Sequence, residues 1–501
     1  MTSRAVSQWP RLAWVVTFEQ GTNEMLLFHG PMVEVSDQWA AEAVWDGEFT
    51  RGDFDTTDIV FGSGVRLRDN KVIFVSSGST LDRIWYFKSD SWYVSNSLPA
   101  ILAGAQLSLC DDFDYTHQFK SICKGLRHHG RSFPTNKGEV YVCYFNNLVY
   151  DGTRVTEVEK PDVAPHFASY HDYYEFMLNT AARLGDNIRC PARRHRVEQL
   201  STISSGYDSP ASAVIAAQAG CRHTVTFRQS TSIWRGSDSG EHMAGYLNMA
   251  VRTYSRIAKE YPNEEAVWAV TGRPGVLNWT LFDYPKPLCC LFTGCHGDKV
   301  WNRGHMDLDD IFQIPSIADL GIGEFRLFEG VFHCPVPFWG MRHLSEIRAI
   351  SCTREMNSWT VGGQYDRPIA RRILEEKGVP RTRFALRKKN TSSETYFLWP
   401  YSRDARVSFD RFLKERNLKC PPYFVVRLLR IIAHFNYLIE SNVIRKFHNI
   451  KGLQNKLTLR GCSMLFHWAN SELKKTYERA LRVERLTLNK QPRVARGTGP
   501  R

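Results

Sequence analysis

Apolar positions in the first 160 residues fall into short runs rich in Val, Ile, Tyr, Phe and Trp: Leu12–Phe18, Lys71–Ser76, Ser91–Ser95 and Glu139–Phe145. Gly, Asp and Asn punctuate them, and that pattern predicts β-strands. The stretch Lys160–His166, KPDVAPH, holds two prolines and few apolar residues and reads as a linker. Past it the spacing changes. Tyr173–Leu184 repeats at helical intervals, Val197–Ile203 reads as a strand, Ser209–Ala219 as an Ala-rich helix, and Cys221–Phe227 and Leu288–Phe292 as further strands. Strand, loop, helix, strand predicts a parallel α/β sheet. After Pro400 the pattern is helical. Val425, Leu428, Leu429, Ile432, Phe435 and Ile439 recur at helical spacing within Pro421–Ile450, and Ser471–Val483 reads as another helix. The basic stretch from Asn489 onward carries Pro and Gly and is expected to be disordered.

With 501 residues, 43% of them hydrophobic and 23% charged, the chain is too long for one core and too apolar for wholesale disorder. The expected organisation is an α+β sandwich over 1–165, an α/β domain over 166–400, a helical region over 401–488 and a basic tail over 489–501. The 12 cysteines include none in the first 109 residues and no C-x-x-C pair, which argues against a zinc ribbon or a thioredoxin-like motif and fits a reducing cytoplasm. No run approaches the roughly 20 apolar residues of a membrane-spanning helix, so a soluble, cytoplasmic protein is expected. The net charge of +13 permits polyanionic partners. An anionic membrane surface could meet Arg427, Arg430, Arg445 and Lys446, and no specific nucleic-acid partner is expected. His128, His129 and His195 read as surface residues, and Asp307, Asp309 and Asp310 as a solvated acidic loop. There is no G-x-x-x-x-G-K-[ST], H-E-x-x-H or G-x-S-x-G motif.

The most informative stretch is Leu200–Gly220, LSTISSGYDSPASAVIAAQAG. A strand ends at Ile203, Ser204, Ser205, Gly206, Tyr207, Asp208 and Ser209 make a tight turn, and a helix follows. Backbone N–H groups in such a turn, with the helix N-terminus, form a nest for phosphate. Asp208 is repulsive beside phosphates unless it holds Mg²⁺ that bridges them. This turn resembles the S-G-G-x-D-S loop of the PP-loop ATP pyrophosphatases, with Ser205 in place of the first Gly. A second loop, Thr293, Gly294, Cys295, His296, Gly297 and Asp298, also follows an apolar strand. It looks like the S-G-x-G-x-D-E loop of asparagine synthetases, except that Cys295 and His296 depart from it and Lys299 stands in place of Glu. A third segment, YDRPIARRILEEKGVPRTRFALRKKN over Tyr365–Asn390, is similar to the family stretch that ends in R-x-K. Gly78–Gly104 resembles part of the family's glutaminase domain.

The likeness to asparagine and β-lactam synthetases spans most of residues 60 to 400. It implies an N-terminal sandwich like that of the Ntn hydrolases, followed by a PP-loop synthetase domain. It implies an ATP-dependent, AMP-forming carbon–nitrogen ligase that adenylates a carboxylate and transfers it to an amine or ammonia. Ser204, Ser205, Gly206, Asp208, Ser209, Phe227 and Gly294 would contact ATP and pyrophosphate, Asp208 and Asp298 would hold Mg²⁺, and Lys389 with Arg387 would be catalytic. Lys388 is the rival for Lys389. The glutaminase half lacks its nucleophile: Thr2 and Ser3 stand where the family has Cys, and Arg4–Pro10 precedes the first convincing strand. Glutamine hydrolysis is therefore not expected. The alternatives are an asparagine synthetase fed by free ammonia and a non-catalytic scaffold that keeps the fold.

Overall fold

Along the strand Trp14–Glu19, Trp14, Val16 and Phe18 enter one core and Val15 another, the period of two of a strand buried on both faces. Trp39, Ala41, Ala43 and Trp45 alternate in the same way along Trp39–Trp45. Such strands build two sheets. One has seven strands in the order Thr2–Ala5, Met25–His29, Trp14–Glu19, Ser91–Ser95, Arg83–Lys88, Gly138–Tyr144, Ser132–Thr135. The other has six, in the order Val155–Val158, Asn147–Tyr150, Lys71–Val75, Val60–Arg68, Trp39–Trp45, Glu34–Val35. Trp14, Phe18 and Leu27 of the first sheet share a core with Val65, Phe74 and Leu148 of the second. The architecture here comes from a computed structural model, which describes residues 1–22, 24–229, 237–256, 258–273, 275–303, 310–314, 320–363, 365–383, 399–418, 424, 425, 427, 428, 431 and 463–482.

The third sheet is parallel throughout, in the order Ala250–Tyr254, His223–Phe227, Val197–Thr202, Leu288–Thr293, Val331–Pro335. Every residue of Leu288–Thr293 is buried, as a strand covered on both faces requires. The helix Asp208–Gln218 follows Val197–Thr202 and buries Ala211, Ala213, Ile215 and Ala216. The helix Tyr170–Arg189 starts at a reciprocal cap, with the Ser169 side chain on the Asp172 N–H and the Asp172 carboxylate on the Ser169 N–H. Near its far end Asn187 receives the Trp45 N–H at 3.4 Å and donates to the Gly47 carbonyl at 2.8 Å, tying the helix to the six-stranded sheet. The molecule is thus mixed α/β with several sheets.

Several expectations need correction. The chain makes a strand at once, Thr2–Ala5, paired in parallel with Met25–His29 at the sheet edge. Its side chains are mostly exposed, so backbone pairing holds it and no apolar period announces it. The segment over 160–166 has no regular structure but is not a loose tether. Lys160 is buried with its ammonium 2.5 Å from Asn147 Oδ1, and burial lowers its pKa to about 7. Val6, Trp9 and Leu12 share a core with Tyr173, Ala211, Ile373 and Tyr477. His129 is buried rather than superficial, with Nδ1 2.8 Å from the Leu126 carbonyl. Asp310 is buried too, and its carboxylate accepts from the Arg127 and Phe312 N–H groups at 2.9 and 2.7 Å. The last described helix spans 463–482 and starts eight residues before the predicted one. It threads between cores, with Trp468 in one, Phe466 in a second and Tyr477 in a third. Among the described residues no helix is long and apolar enough to cross a membrane. The predicted helix over 421–450 lies outside the described residues apart from a few positions, and the tail from 489 lies wholly outside them.

Candidate functional site

The order of the parallel sheet has a switch point. From Val197–Thr202 the chain steps outward to His223–Phe227 and Ala250–Tyr254, then returns to Leu288–Thr293 on the other side. Where strand order reverses, the loops at the strands' carboxyl ends diverge, and ligands of open α/β sheets bind in the gap. The loops leaving these two central strands carry the two sequence motifs.

Glycine brings the loops into contact. A Cβ on Gly294 would lie 2.5 Å from the backbone carbonyl carbon of Asp208 and 2.6 Å from the Ser209 nitrogen. One on Gly297 would lie 2.6 Å from Asp208 Cγ. No side chain fits at either place without pushing the loops apart. Asp298 follows Gly297 directly, so both candidate metal aspartates stand on abutting loops, and both are partly exposed.

The first loop is braced from outside. The Ser205 N–H donates to the Asp238 carbonyl at 3.2 Å, and Ser205 Oγ donates to Asp238 Oδ1 at 2.8 Å. The Gly206 N–H donates to Ser204 Oγ at 3.2 Å. Two of the N–H groups expected to cradle phosphate are therefore engaged within the protein. Tyr207, at the N-cap, offers no side-chain acceptor to the helix Asp208–Gln218. That leaves the positive end of the helix as the larger anion-binding feature near Ser209. Phe227 ends the neighbouring strand, but its ring stacks on Phe282 at 4.7 Å with the Arg256 guanidinium 4.9 Å from its centre. That ring belongs to the core, so Phe227 can offer a ligand only its backbone.

Sequence reasoning overlooked Arg367. This buried guanidinium pairs with the Asp208 carboxylate and lies 4.5 Å from the centre of the Tyr365 ring. Burial opposes its charge, but Asp208, Tyr365 and Asp298 outweigh that and raise its pKa. Tyr365 closes the other side, its hydroxyl 3.0 Å from where a Gly206 Cβ would stand. Both residues open the third motif, and the clue was the Arg in YDRPIARR, which reads from sequence as one of many basic residues. The end of that motif, with Arg387, Lys388 and Lys389, lies outside the described residues.

The unexpected Lys299 is buried and spends its ammonium on backbone carbonyls. Its ammonium donates to the Ile311 carbonyl and, at 2.7 Å, to the Gln313 carbonyl, and burial lowers its pKa to about 7. It anchors the 310–314 segment. Lys299→Glu, which installs the family residue, is therefore expected to destabilise the protein by about 2–3 kcal/mol, because a carboxylate would face two carbonyls. Thermal melting checks this, and an unchanged midpoint would remove the anchoring role. His296 adopts a left-handed backbone, φ 67°, and sets its ring edge-on to Phe338 at 5.2 Å. Buried His333 lies below the second loop, Nε2 2.9 Å from Thr293 Oγ1, and burial lowers its pKa to about 4, so the ring is neutral at pH 7.

Asp208 and Asp298 supply the donors a hard divalent cation takes, carboxylate oxygens on adjoining and partly exposed loops, though Arg367 already pairs with Asp208. The sequence matches no protein-family model and no curated protein.

Proposed function

We propose that this chain is an ATP-dependent ligase that adenylates a carboxylate and transfers the acyl group to an amine or ammonia. The observation that carries the proposal is the contact of Gly294 and Gly297 with Asp208. Two motifs read independently in the sequence meet there, at the reversal of strand order. On this reading the parallel sheet is a PP-loop synthetase domain and the two antiparallel sheets are a degenerate glutaminase sandwich. The carboxylate attacks the α-phosphorus of ATP, pyrophosphate leaves, and the amine then displaces AMP from the acyl-adenylate. Mg²⁺ held by Asp208 and Asp298 would neutralise the departing pyrophosphate. The helix end at Ser209 would attract the phosphates, while Gly294 and Gly297 let the two loops close on Asp208. Arg367 pairs with Asp208 and would share it with the ion.

The test is ATP–pyrophosphate exchange by the full chain over a panel of carboxylic acids, aspartate with ammonia among them. Exchange with at least one acid is expected. One observation favours a second reading, a scaffold without chemistry: Asp208 already has a cation in Arg367. Absence of both exchange and calorimetric ATP binding would establish the scaffold and end the ligase proposal.

On the resemblance, Lys389 would also take part in the reaction. Its ammonium would meet oxyanions that develop at phosphorus and at the acyl carbon. Lys389→Met is expected to lower kcat by about 10²–10³-fold while nucleotide affinity hardly changes, and Lys388→Met to be nearly silent. Turnover measured beside nucleotide binding decides it. A dead Lys388→Met variant would shift the register by one.

A further inference from the structure

The segment linking the antiparallel sheets to the first long helix carries a group that the ligase proposal does not use. His166 lies at its end, and His343 and Glu346 lie at the start of the helix Leu344–Ser351, where His343 is the N-cap and Glu346 is in the first turn. A separation of three residues sets the latter two on one side of the helix. His166 Nδ1 lies 2.8 Å from Glu346 Oε1, and His343 Nδ1 lies 3.3 Å from Glu346 Oε2. One ligand atom from each of the three residues falls within 4.8 Å of the others. The two imidazoles meet edge to face at 5.3 Å.

We propose that His166, His343 and Glu346 form a binding site for a divalent transition-metal ion, zinc foremost. Two imidazoles and a carboxylate are a zinc donor set, and bonds of about 2.0–2.1 Å around a tetrahedral ion hold its donors roughly 3.3 Å apart. The spacings found here need only small side-chain adjustments to reach that. The chemistry of His343 points the same way. Its other nitrogen, Nε2, faces Asp162 Oδ2 at 3.2 Å. A neutral imidazole donates from one nitrogen only. The approach of Nε2 to Asp162 is an electrostatic contact and not a hydrogen bond, and a metal ion on Nδ1 would leave it in place. A carboxylate behind a metal-bound imidazole fixes the ring's tautomer and orientation. The site has a preformed anchor as well, since Glu346 Oε2 accepts the Phe167 N–H at 2.7 Å. Exposure of the side chains is graded, 91% for His166, 28% for Glu346 and 12% for His343, so the outermost ligand opens an entry path. Three protein ligands leave a fourth position for water. The ion would fasten the linking segment to the helix beside the parallel sheet.

The experiment uses the full-length protein stripped with chelator and titrated with zinc chloride by calorimetry, beside His166→Ala and His343→Ala. His166 is almost fully exposed, so its replacement leaves the fold intact. Wild type is expected to bind one equivalent more than His166→Ala, or to bind it about tenfold or more tightly. Zinc should raise the melting temperature of wild type and not of His166→Ala, and cobalt should give a tetrahedral visible spectrum that either variant loses. Identical zinc stoichiometry and affinity in wild type and His166→Ala would overturn the proposal and leave a proton-bridged His–Glu cluster. This result is independent of ATP–pyrophosphate exchange.

Discussion

Asp208→Asn is expected to abolish ATP–pyrophosphate exchange, a loss on the order of 10³-fold or more, while the chain stays folded. Losing a metal-binding carboxylate removes several kcal/mol of transition-state stabilisation, and each 1.36 kcal/mol is tenfold in rate. The fold bears a smaller cost. Asp208 pairs with buried Arg367, and the amide keeps an acceptor for the guanidinium but not the charge. The expected stability loss is about 1–2 kcal/mol, in the range of a hydrogen bond to a charged group. Arg367→Met separates the two duties of Asp208. If the carboxylate serves a metal, Arg367→Met retains exchange and needs less Mg²⁺, because the competing cation is gone. If the carboxylate serves only to anchor Arg367, both variants lose stability alike and neither loses exchange selectively. Exchange rates and Mg²⁺ titrations on the two proteins, beside their melting curves, distinguish these outcomes. Exchange in Asp208→Asn within a few-fold of wild type would remove the metal role.

What the sequence discloses and what it hides follow the physics of each element. Ser91–Ser95 is legible end to end because its residues alternate about a sheet, and Leu288–Thr293 because an unbroken apolar run between turns suits a covered parallel strand. The two Gly–Asp loops are legible because close backbone approach demands glycine in a fixed pattern. Thr2–Ala5 is hidden because an edge strand held by backbone pairing has no buried face to leave a period. The burial of Lys160 is hidden because its ammonium finds its partner in Asn147, at the start of the strand Asn147–Tyr150. Lys299 looks like a damaged metal ligand in sequence, since nothing local says that it reaches forward to carbonyls at 311 and 313. Arg367 is hidden for the same reason: its partner is 159 residues away. For Lys160, Lys299 and Arg367 the deciding contact is made by a charged side chain to a partner outside its own element, which local spacing does not encode.

Another such contact lies at Arg326, and Arg326→Met is expected to cost about 3–5 kcal/mol of stability. The guanidinium, on the helix Gly323–Glu329, is only 2% exposed. It donates to Glu42 Oε2 at 2.7 Å, to Glu42 Oε1 at 3.0 Å and to Asp82 Oδ1 at 2.8 Å. Glu42 sits on Trp39–Trp45, so this triad joins the six-stranded sheet to a helix beside the parallel sheet across 284 residues of chain. Burial opposes the charge of Arg326, but the two carboxylates outweigh it and raise its pKa. Burial likewise pushes the Glu42 carboxyl above its ordinary value, and Arg326 pulls it back. Removing the guanidinium leaves two carboxylates in the interior with no cation between them, which is costlier than never having built the triad. Glu42→Gln with Asp82→Asn added to Arg326→Met should therefore recover part of the loss. The pH dependence carries a definite sign. A carboxyl whose folded-state pKa is raised loses its stabilising contribution as pH rises from the ordinary value through the raised one. Arg326→Met should thus be further below wild type at pH 8 than at pH 5. Urea unfolding at both values measures this. A midpoint within experimental error of wild type at pH 8 would show that the triad contributes nothing to holding the two parts of the molecule together.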